Sequence, residues 1–425
     1  MKKIMAILLS TLMAASIAAC GGKTETKPTE KPTEAELPDD PYKVASPMKA
    51  PDYTFDHTPT TDELRQTVVK AMEDILSVQW YTPEKAEYRK DGAASDKLYV
   101  YNSGYHFAGI PYTEAQRSLF SALEYFDGNG RLKVDKVREE AGLQNLGQAI
   151  NMTIGNTCGG ATSWALYSCC NSISGPCSAY YQTYVYGYLP VGDYKYDLTV
   201  DCLTNYPTNR IVVENGRDVM YDSYSKTLPG DLMLIELDTP GKDHSVMVTE
   251  NNVVKKADGS IDPDASTITI QDQHVGLFED VDVNGGKLYY TGHTGVNAVR
   301  HSYAEWFDIA YIPVTTAELT GAKPYEPGEI QVDREITCFE DLKKAHITSN
   351  YPQAVVKVYA IQDGVEKELL MKSYARRDIS DKTAYNTATS PFYSAVNKAN
   401  VPEGTPVEIR VTLSTGQIFK VETTR

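Results

Sequence analysis

Two residues in this chain are of the types, and in the settings, that make a thiol nucleophile. Cys158 lies in Thr157-Cys158-Gly159-Gly160-Ala161-Thr162-Ser163-Trp164-Ala165-Leu166, at the mouth of a predicted helix. His244 opens His244-Ser245-Val246-Met247-Val248, a predicted strand that follows Leu228-Pro229-Gly230-Asp231-Leu232. The positive end of a helix favours thiolate over thiol. An imidazole can take the thiol proton and later return it to a leaving amine. Gly159 and Gly160 would let a substrate carbonyl come close to backbone N–H groups that hold an oxyanion. The base also needs an orienting partner, and the run Thr267-Ile268-Thr269-Ile270-Gln271-Asp272-Gln273-His274 ends a neighbouring predicted strand in polar side chains. Asp272 is the candidate, because a carboxylate fixes the imidazole tautomer and stabilises imidazolium. Gln273 and His274 are the alternatives. His57, His106, His293, His301 and His346 have no comparable setting, although His106 and Tyr112 are candidates to line a cleft. Read alone, Cys158 is equally a small buried hydrophobe or half of a disulfide.

The elements that must position these groups read as an α+β chain, with helices first and consecutive antiparallel strands after them. Thr60-Thr61-Asp62-Glu63 is a capping box, and Leu64, Val68, Met72, Ile75 and Leu76 then recur at helical spacing up to Trp80. A second helix is predicted from about Glu114 to Phe126, ending in the turn Asp127-Gly128-Asn129-Gly130. Arg131 and Arg138 would occupy ligand positions of a calcium loop begun at Asp127, so no metal site is expected there. The Cys158 helix is predicted to reach about Ser172. The aromatics of Tyr180–Tyr196 either line a groove or are half-buried strand and loop. Strands are predicted at Asp231–Leu237, Ser245–Glu250, Thr267–Gln271 and Ile309–Val314, with a second capping box at Ser302-Tyr303-Ala304-Glu305. These elements make one domain over 51–315 with a helical N-terminal part. Pro324, Pro327 and Gly328 mark a linker over 316–330. Two hairpins, around Asp363-Gly364 and Thr415-Gly416, predict a small all-β, immunoglobulin-like sandwich over 331–425.

Lys2 and Lys3 followed by the apolar Ile4–Ile17 read as a signal peptide over 1–19. Ile17-Ala18-Ala19-Cys20 resembles the bacterial lipobox, which implies lipidation of Cys20 and an anchor on the extracytoplasmic face of the cell membrane. Residues 20–50 repeat Lys, Thr, Glu and Pro and read as a disordered tether. The formal charge of −16 becomes −18 once Lys2 and Lys3 are removed, and with no basic run this argues against nucleic acid as a partner. Of the seven cysteines, Cys169, Cys170, Cys177 and Cys202 lie in one region and are expected to form one or two bridges, with Cys338 free. Their spacing does not fit a zinc site, and no cofactor is expected.

Taken in order, these segments resemble the bacterial cell-wall cysteine peptidases of the NlpC type and their CHAP amidase relatives. The resemblance covers roughly residues 100–315. It rests on Cys158-Gly159-Gly160 at a helix start, Pro229-Gly230-Asp231-Leu232, His244-Ser245-Val246-Met247-Val248, Asp272 with His274, and the upstream Gly109-Ile110-Pro111-Tyr112. It implies a papain-like α+β fold and a membrane-tethered cysteine hydrolase that cleaves amide bonds in peptidoglycan stem peptides through a thiol ester. Gly159 stands where the family has Ser, and Thr157 where it has Asp. The alternative is an inactive papain-like module that binds cell-wall material.

Overall fold

Thr60 caps the first helix as expected: its hydroxyl accepts from the Glu63 backbone, and the Glu63 carboxylate accepts in return from the Thr60 N–H at 2.8 Å. That helix, α1 (Thr61–Ser77), buries Leu64, Val68, Met72, Ile75 and Leu76 at the predicted spacing. In this computed structural model the described residues are 49–90, 97–175, 186–196, 208–236, 243–283, 286–375 and 386–425. The expected signal peptide, Cys20 and nearly all of the tether lie outside them, as do Cys177, Cys202 and part of the tyrosine-rich stretch. No described helix is long and apolar enough to cross a membrane.

The chain is a mixed α/β protein with several sheets. The further helices are α2 (Leu119–Leu123), α3 (Val134–Ala141), α4 (Leu146–Thr153), α5 (Cys158–Leu166), α6 (Thr208–Ser225, broken at Gly216), α7 (Tyr303–Asp308), α8 (Ala317–Thr320) and α9 (Ser390–Lys398). Two of these are shorter than the sequence predicts. Residues 114–117 are not helical, because Gln116 sits at φ 56°, in the left-handed region that a helix excludes. The Cys158 helix closes at Tyr167, which leaves Cys169 and Cys170 in the turn beyond it.

The strands before the C-terminal part are β1 (Gln79–Tyr81), β2 (Ala86–Lys90), β3 (Lys97–Tyr101), β4 (His106–Ala108), β5 (Leu189–Pro190), β6 (Leu232–Ile235), β7 (His244–Asn252), β8 (Thr267–Val283), β9 (Gly286–His293), β10 (Val299–Ser302) and β11 (Ile312–Thr315). All but the β2–β3 hairpin join one sheet in the order β1-β4-β9-β8-β7-β6-β11-β5, with β10 also on β8. β8 is the spine of this sheet. Its first half pairs with β7 and β10, and its second half pairs with β9. The pairings are antiparallel except β4 with β9. α1 and α5 lie on this sheet, and their apolar faces and the sheet's inner residues form one core.

Residues beyond the expected linker hold β12 (Ile330–Val332), β13 (His346–Ser349), β14 (Gln353–Gln362), β15 (Val365–Ser373), β16 (Asn386–Ala388), β17 (Pro406–Leu413) and β18 (Ile418–Thr424). Both predicted hairpins are present, β14–β15 and β17–β18, within a sheet ordered β15-β14-β17-β18. The all-β expectation needs correction. α9 places Phe392 and Val396, one turn apart, in the core between the β strands, with Phe339 and Leu342 of a 3₁₀ turn. The segment 316–330 is also packed. Glu318 is buried and accepts from the Asn171 and Ser172 backbone N–H groups at 3.2 and 2.8 Å. The C-terminal sheets meet the rest directly: Ser414 Oγ donates to Tyr167 O at 2.7 Å, Tyr53 N to Thr415 O at 2.9 Å, and Ala354 and Val355 belong to the core around α1 and α5.

Candidate active site

The helix that carries Cys158 begins where it does because Thr157, in an extended conformation, caps it through Gly160 N. Upstream, Gly155 adopts φ 100°, and a side chain there would collide with Pro111 O at 2.0 Å. That close approach lets the two segments pair: Asn156 N donates to Pro111 O at 3.1 Å and Thr113 N to Asn156 O at 2.9 Å. The Gly109–Tyr112 element thus braces the loop that delivers the thiol. Gly160 has no room for a side chain either, since a Cβ would meet Gln116 Oε1 at 2.4 Å and Asn156 Oδ1 at 2.7 Å. Gly159 is buried in the same turn, and its carbonyl accepts from Ser163 Oγ at 2.6 Å.

α5 is pinned across the sheet by the pair Thr162 Oγ1 and Ser245 Oγ, 3.0 Å apart. Ser245 adjoins His244, so this contact sets the thiol against the imidazole. Cys158 is a free thiol, buried, in hydrogen-bond contact with His244 and approached by the Ser245 backbone N–H. His244 Nε2 lies 2.6 Å from Asp272 Oδ2. With that edge of the ring taken, Nδ1 is the nitrogen left to face the sulfur. The three residues proposed from sequence therefore stand together in the order thiol, imidazole, carboxylate.

Electrostatics follow from the contacts. Burial alone pushes the Cys158 thiol up, but the charge and hydrogen bond of His244 outweigh it and hold the thiol below its ordinary value. Burial alone pulls His244 down. The Cys158 charge and the hydrogen bond that His244 donates to Asp272 reverse that, raising His244 from 6.5 to about 10. Burial raises Asp272, and its bonds to His244 and His293 overcome this and hold the carboxylate well below its usual range. The pair thus favours thiolate with imidazolium, a nucleophile next to a proton donor, at the N-terminus of a helix whose first N–H groups can receive an oxyanion.

The structure separates the remaining candidates. Along β8, Asp272 and His274 share one face, and Gln273 points through the other, donating to Ile110 O at 2.7 Å. Gln273 is therefore a brace for the Gly109–Tyr112 element and cannot orient His244, because successive strand residues face opposite sides. His274 stands edge-on to His244 and to His293, with ring centroids 5.9 and 5.3 Å away. Tyr112 lies beside the thiol: it is buried against Tyr99, and the Cys158 charge adds to burial in raising its phenol. Tyr311 is raised in the same way, by burial and then by Asp272 and Cys158. His106 lies along the sheet from the Asp272–His293 contact. It pairs in register with Leu288, five residues before His293, roughly 17 Å away at about 3.3 Å per residue, and it stacks on Tyr81. Tyr188 and Tyr194 are buried, with hydroxyls on Gly175 O and Pro313 O.

Three features escape the sequence reading. His293 has no distinguishing setting in the sequence, yet its Nδ1 lies 2.6 Å from Asp272 Oδ1. Gln116 is buried, and its amide donates to Thr157 Oγ1 at 2.9 Å, supporting the cap of α5. Asp231 of the Pro-Gly-Asp-Leu run forms a buried ion pair with Arg65 of α1 at 2.9 Å. Of the cysteines expected to bridge, Cys169 and Cys170 are free, buried thiols, with Cys169 Sγ directed at Leu64 O, while Cys177 and Cys202 lie outside the described residues. Among the described residues no cluster of side chains could hold a metal ion. Compared with family models, curated proteins and solved structures, the chain finds no match.

Proposed function

We propose that this protein is an extracytoplasmic cysteine hydrolase of papain-like fold that cleaves amide bonds, with peptidoglycan stem peptides as its substrate. One observation carries the reading: a free thiol at a helix N-terminus contacts an imidazole whose other edge is held by a buried carboxylate. In this reading the Cys158 thiolate attacks the amide carbonyl carbon, and the oxyanion is received by the first backbone N–H groups of α5. His244 gives its proton to the departing amine, leaving an acyl group on the sulfur as a thiol ester. Neutral His244 then takes a proton from water, the hydroxide adds to the ester carbonyl, and Cys158 leaves as thiolate while the acid product departs. Asp272 holds the imidazole throughout and does not itself become protonated.

Incubating muropeptides with wild type, Cys158→Ala and His244→Ala tests this directly. Cleavage by the wild type alone is expected. Equal cleavage by Cys158→Ala, or none by wild type together with retained binding, would defeat it. The anchor belongs to the same proposal. It rests on Ile17-Ala18-Ala19-Cys20, with the following tether of roughly thirty residues giving a root-mean-square reach of about 30 Å. Labelled fatty acid should enter the wild type and not Cys20→Ala, and a wild type that takes up none would remove the anchor from the proposal.

A further inference from the structure

Asp272 is held from two strands at once. Its Oδ2 meets His244 Nε2 at 2.6 Å across to β7. Its Oδ1 accepts from the His293 backbone N–H at 3.2 Å and lies 2.6 Å from His293 Nδ1, across to β9. Asp272 and His293 are direct cross-strand partners in the antiparallel ladder. The Asp272 side chain is 4 % exposed, against 22 % for His244 and 17 % for His293.

A carboxylate turns easily about its last torsion, a broad, roughly two-fold well. One hydrogen bond at Oδ2 leaves that rotation open. A second donor at Oδ1, in line with the strand pairing, closes it and fixes the direction of the Oδ2 lone pairs. Bulk water has little access to a group this buried, so the protein must supply that donor. The backbone N–H gives one bond, and it is the longer one. The Nδ1–H of His293 gives the shorter, and the His293 ring is itself held edge-on by His274.

We propose that His293 is a positioning residue for the reacting pair, acting through Asp272: its Nδ1–H locks the carboxylate so that Oδ2 stays aimed at His244 and keeps His244 as imidazolium beside the Cys158 thiolate. This rests on the reading of Cys158 and His244 as the reacting pair, but not on any particular substrate. The group is then a four-residue line crossing α5, β7, β8 and β9. His274 stands edge-on to both His244 and His293, so dependence on Asp272 is what separates positioning through the carboxylate from packing.

The test measures alkylation of Cys158 by iodoacetamide at pH 6 in the full-length chain, followed by mass mapping of the Cys158 peptide and corrected with Cys158→Ala. The wild-type rate should collapse in His244→Ala; a rate that His244→Ala leaves unchanged would overturn the proposal along with the pair. His293→Ala should slow alkylation on the order of tenfold, the low end of what a hydrogen bond to a charged group is worth. His293→Asn, whose amide nitrogen falls where Nδ1 was, should stay within about twofold of wild type. His293→Gln carries its amide one bond further out and should be as slow as Ala, which keeps the comparison informative if the Ala variant fails to fold. In an Asp272→Ala background His293→Ala should cost nothing further. Equal rates for the Asn and Gln variants, or the same loss from His293→Ala with and without Asp272, would overturn the proposal. The assay needs no substrate, so rapid wild-type alkylation without muropeptide cleavage would defeat the hydrolase reading and leave this one standing.

Discussion

Replacing Cys158 by Ala should drop the titration of His244 by about three pH units, and this change probes the core of the site. In the wild type His244 is raised from 6.5 to about 10, a preference for imidazolium on the order of 5 kcal/mol. Burial works against that preference, so it must come from the two partners, Cys158 and Asp272. Two opposite unit charges about 4 Å apart, at an effective dielectric constant of about 20, attract by about 4 kcal/mol, roughly three pH units. Most of the rise is therefore assigned to the thiolate, and Cys158→Ala removes it while leaving the Asp272 bond in place. The variant should titrate His244 near pH 7 or a little below. The sign is set by the charge: without the anion the imidazolium is less favoured, so the proton leaves at lower pH. Nitrogen-15 labelling of the histidines reads this, since the two ring nitrogens report protonation separately, and in the wild type the step near pH 10 belongs to the pair. A His244 that titrates within one pH unit of wild type in Cys158→Ala would show that the sulfur is not its charge partner, and the ion-pair argument would fail.

Three further outcomes follow from the packing. Gly160→Ala should cost about 1–3 kcal/mol by displacing the buried Gln116 amide from Thr157, read as a lower thermal midpoint; an unchanged midpoint would show that the cap of α5 tolerates the shift. Arg65→Ala leaves Asp231 buried without its partner, and breaking such a pair should cost about 3–5 kcal/mol; a loss under about 1 kcal/mol in denaturant titration would contradict the burial argument. A chain ending at Gly328 loses the contacts of Tyr53, Tyr167 and Cys169 with Thr415, Ser414 and Tyr351. At about 1 kcal/mol per hydrogen bond plus about 1.5 for Val355, it should be less stable by on the order of 4 kcal/mol; a truncated chain that melts with the full-length one would show the cores to be independent.

Much of the site was legible in one dimension because local chemistry and period fixed it. Thr157 is of a type favoured at helix caps, and in the structure it caps the helix that opens with Cys158 although Gly159 and Gly160 follow. His244 begins an apolar run, so it had to lie at a strand end, and Asp272 falls at the end of the polar–apolar alternation that precedes it. The same period decided between Asp272 and Gln273 only when the face of β8 was known, since alternation says that the two differ and not which one looks toward α5. Helix ends were less legible. Gln116 at φ 56° stops the helix predicted through it, and no residue type at that position announces it.

His293 shows what the linear chain withheld. Asn284-Gly285 is a hairpin signal, and counting outward from the pair Val283 and Gly286 would set Asp272 opposite Asn297. Register shifts between Gln273 and Phe278, and between Asp280 and Asp282, instead bring His293 there. A bulge is a choice made by the packing of the whole sheet, and it leaves no mark in residue spacing. The buried pair of Arg65 with Asp231 is of the same kind, joining residues 166 positions apart. The amino-acid order therefore determined which groups could react and that Cys158 and His244 open their elements, whereas Asp272, expected at a strand end, lies inside β8, which runs on to Val283. Only the tertiary structure decided which of them share a face, because strand register and helix docking are set by non-local burial, which no short window of sequence contains.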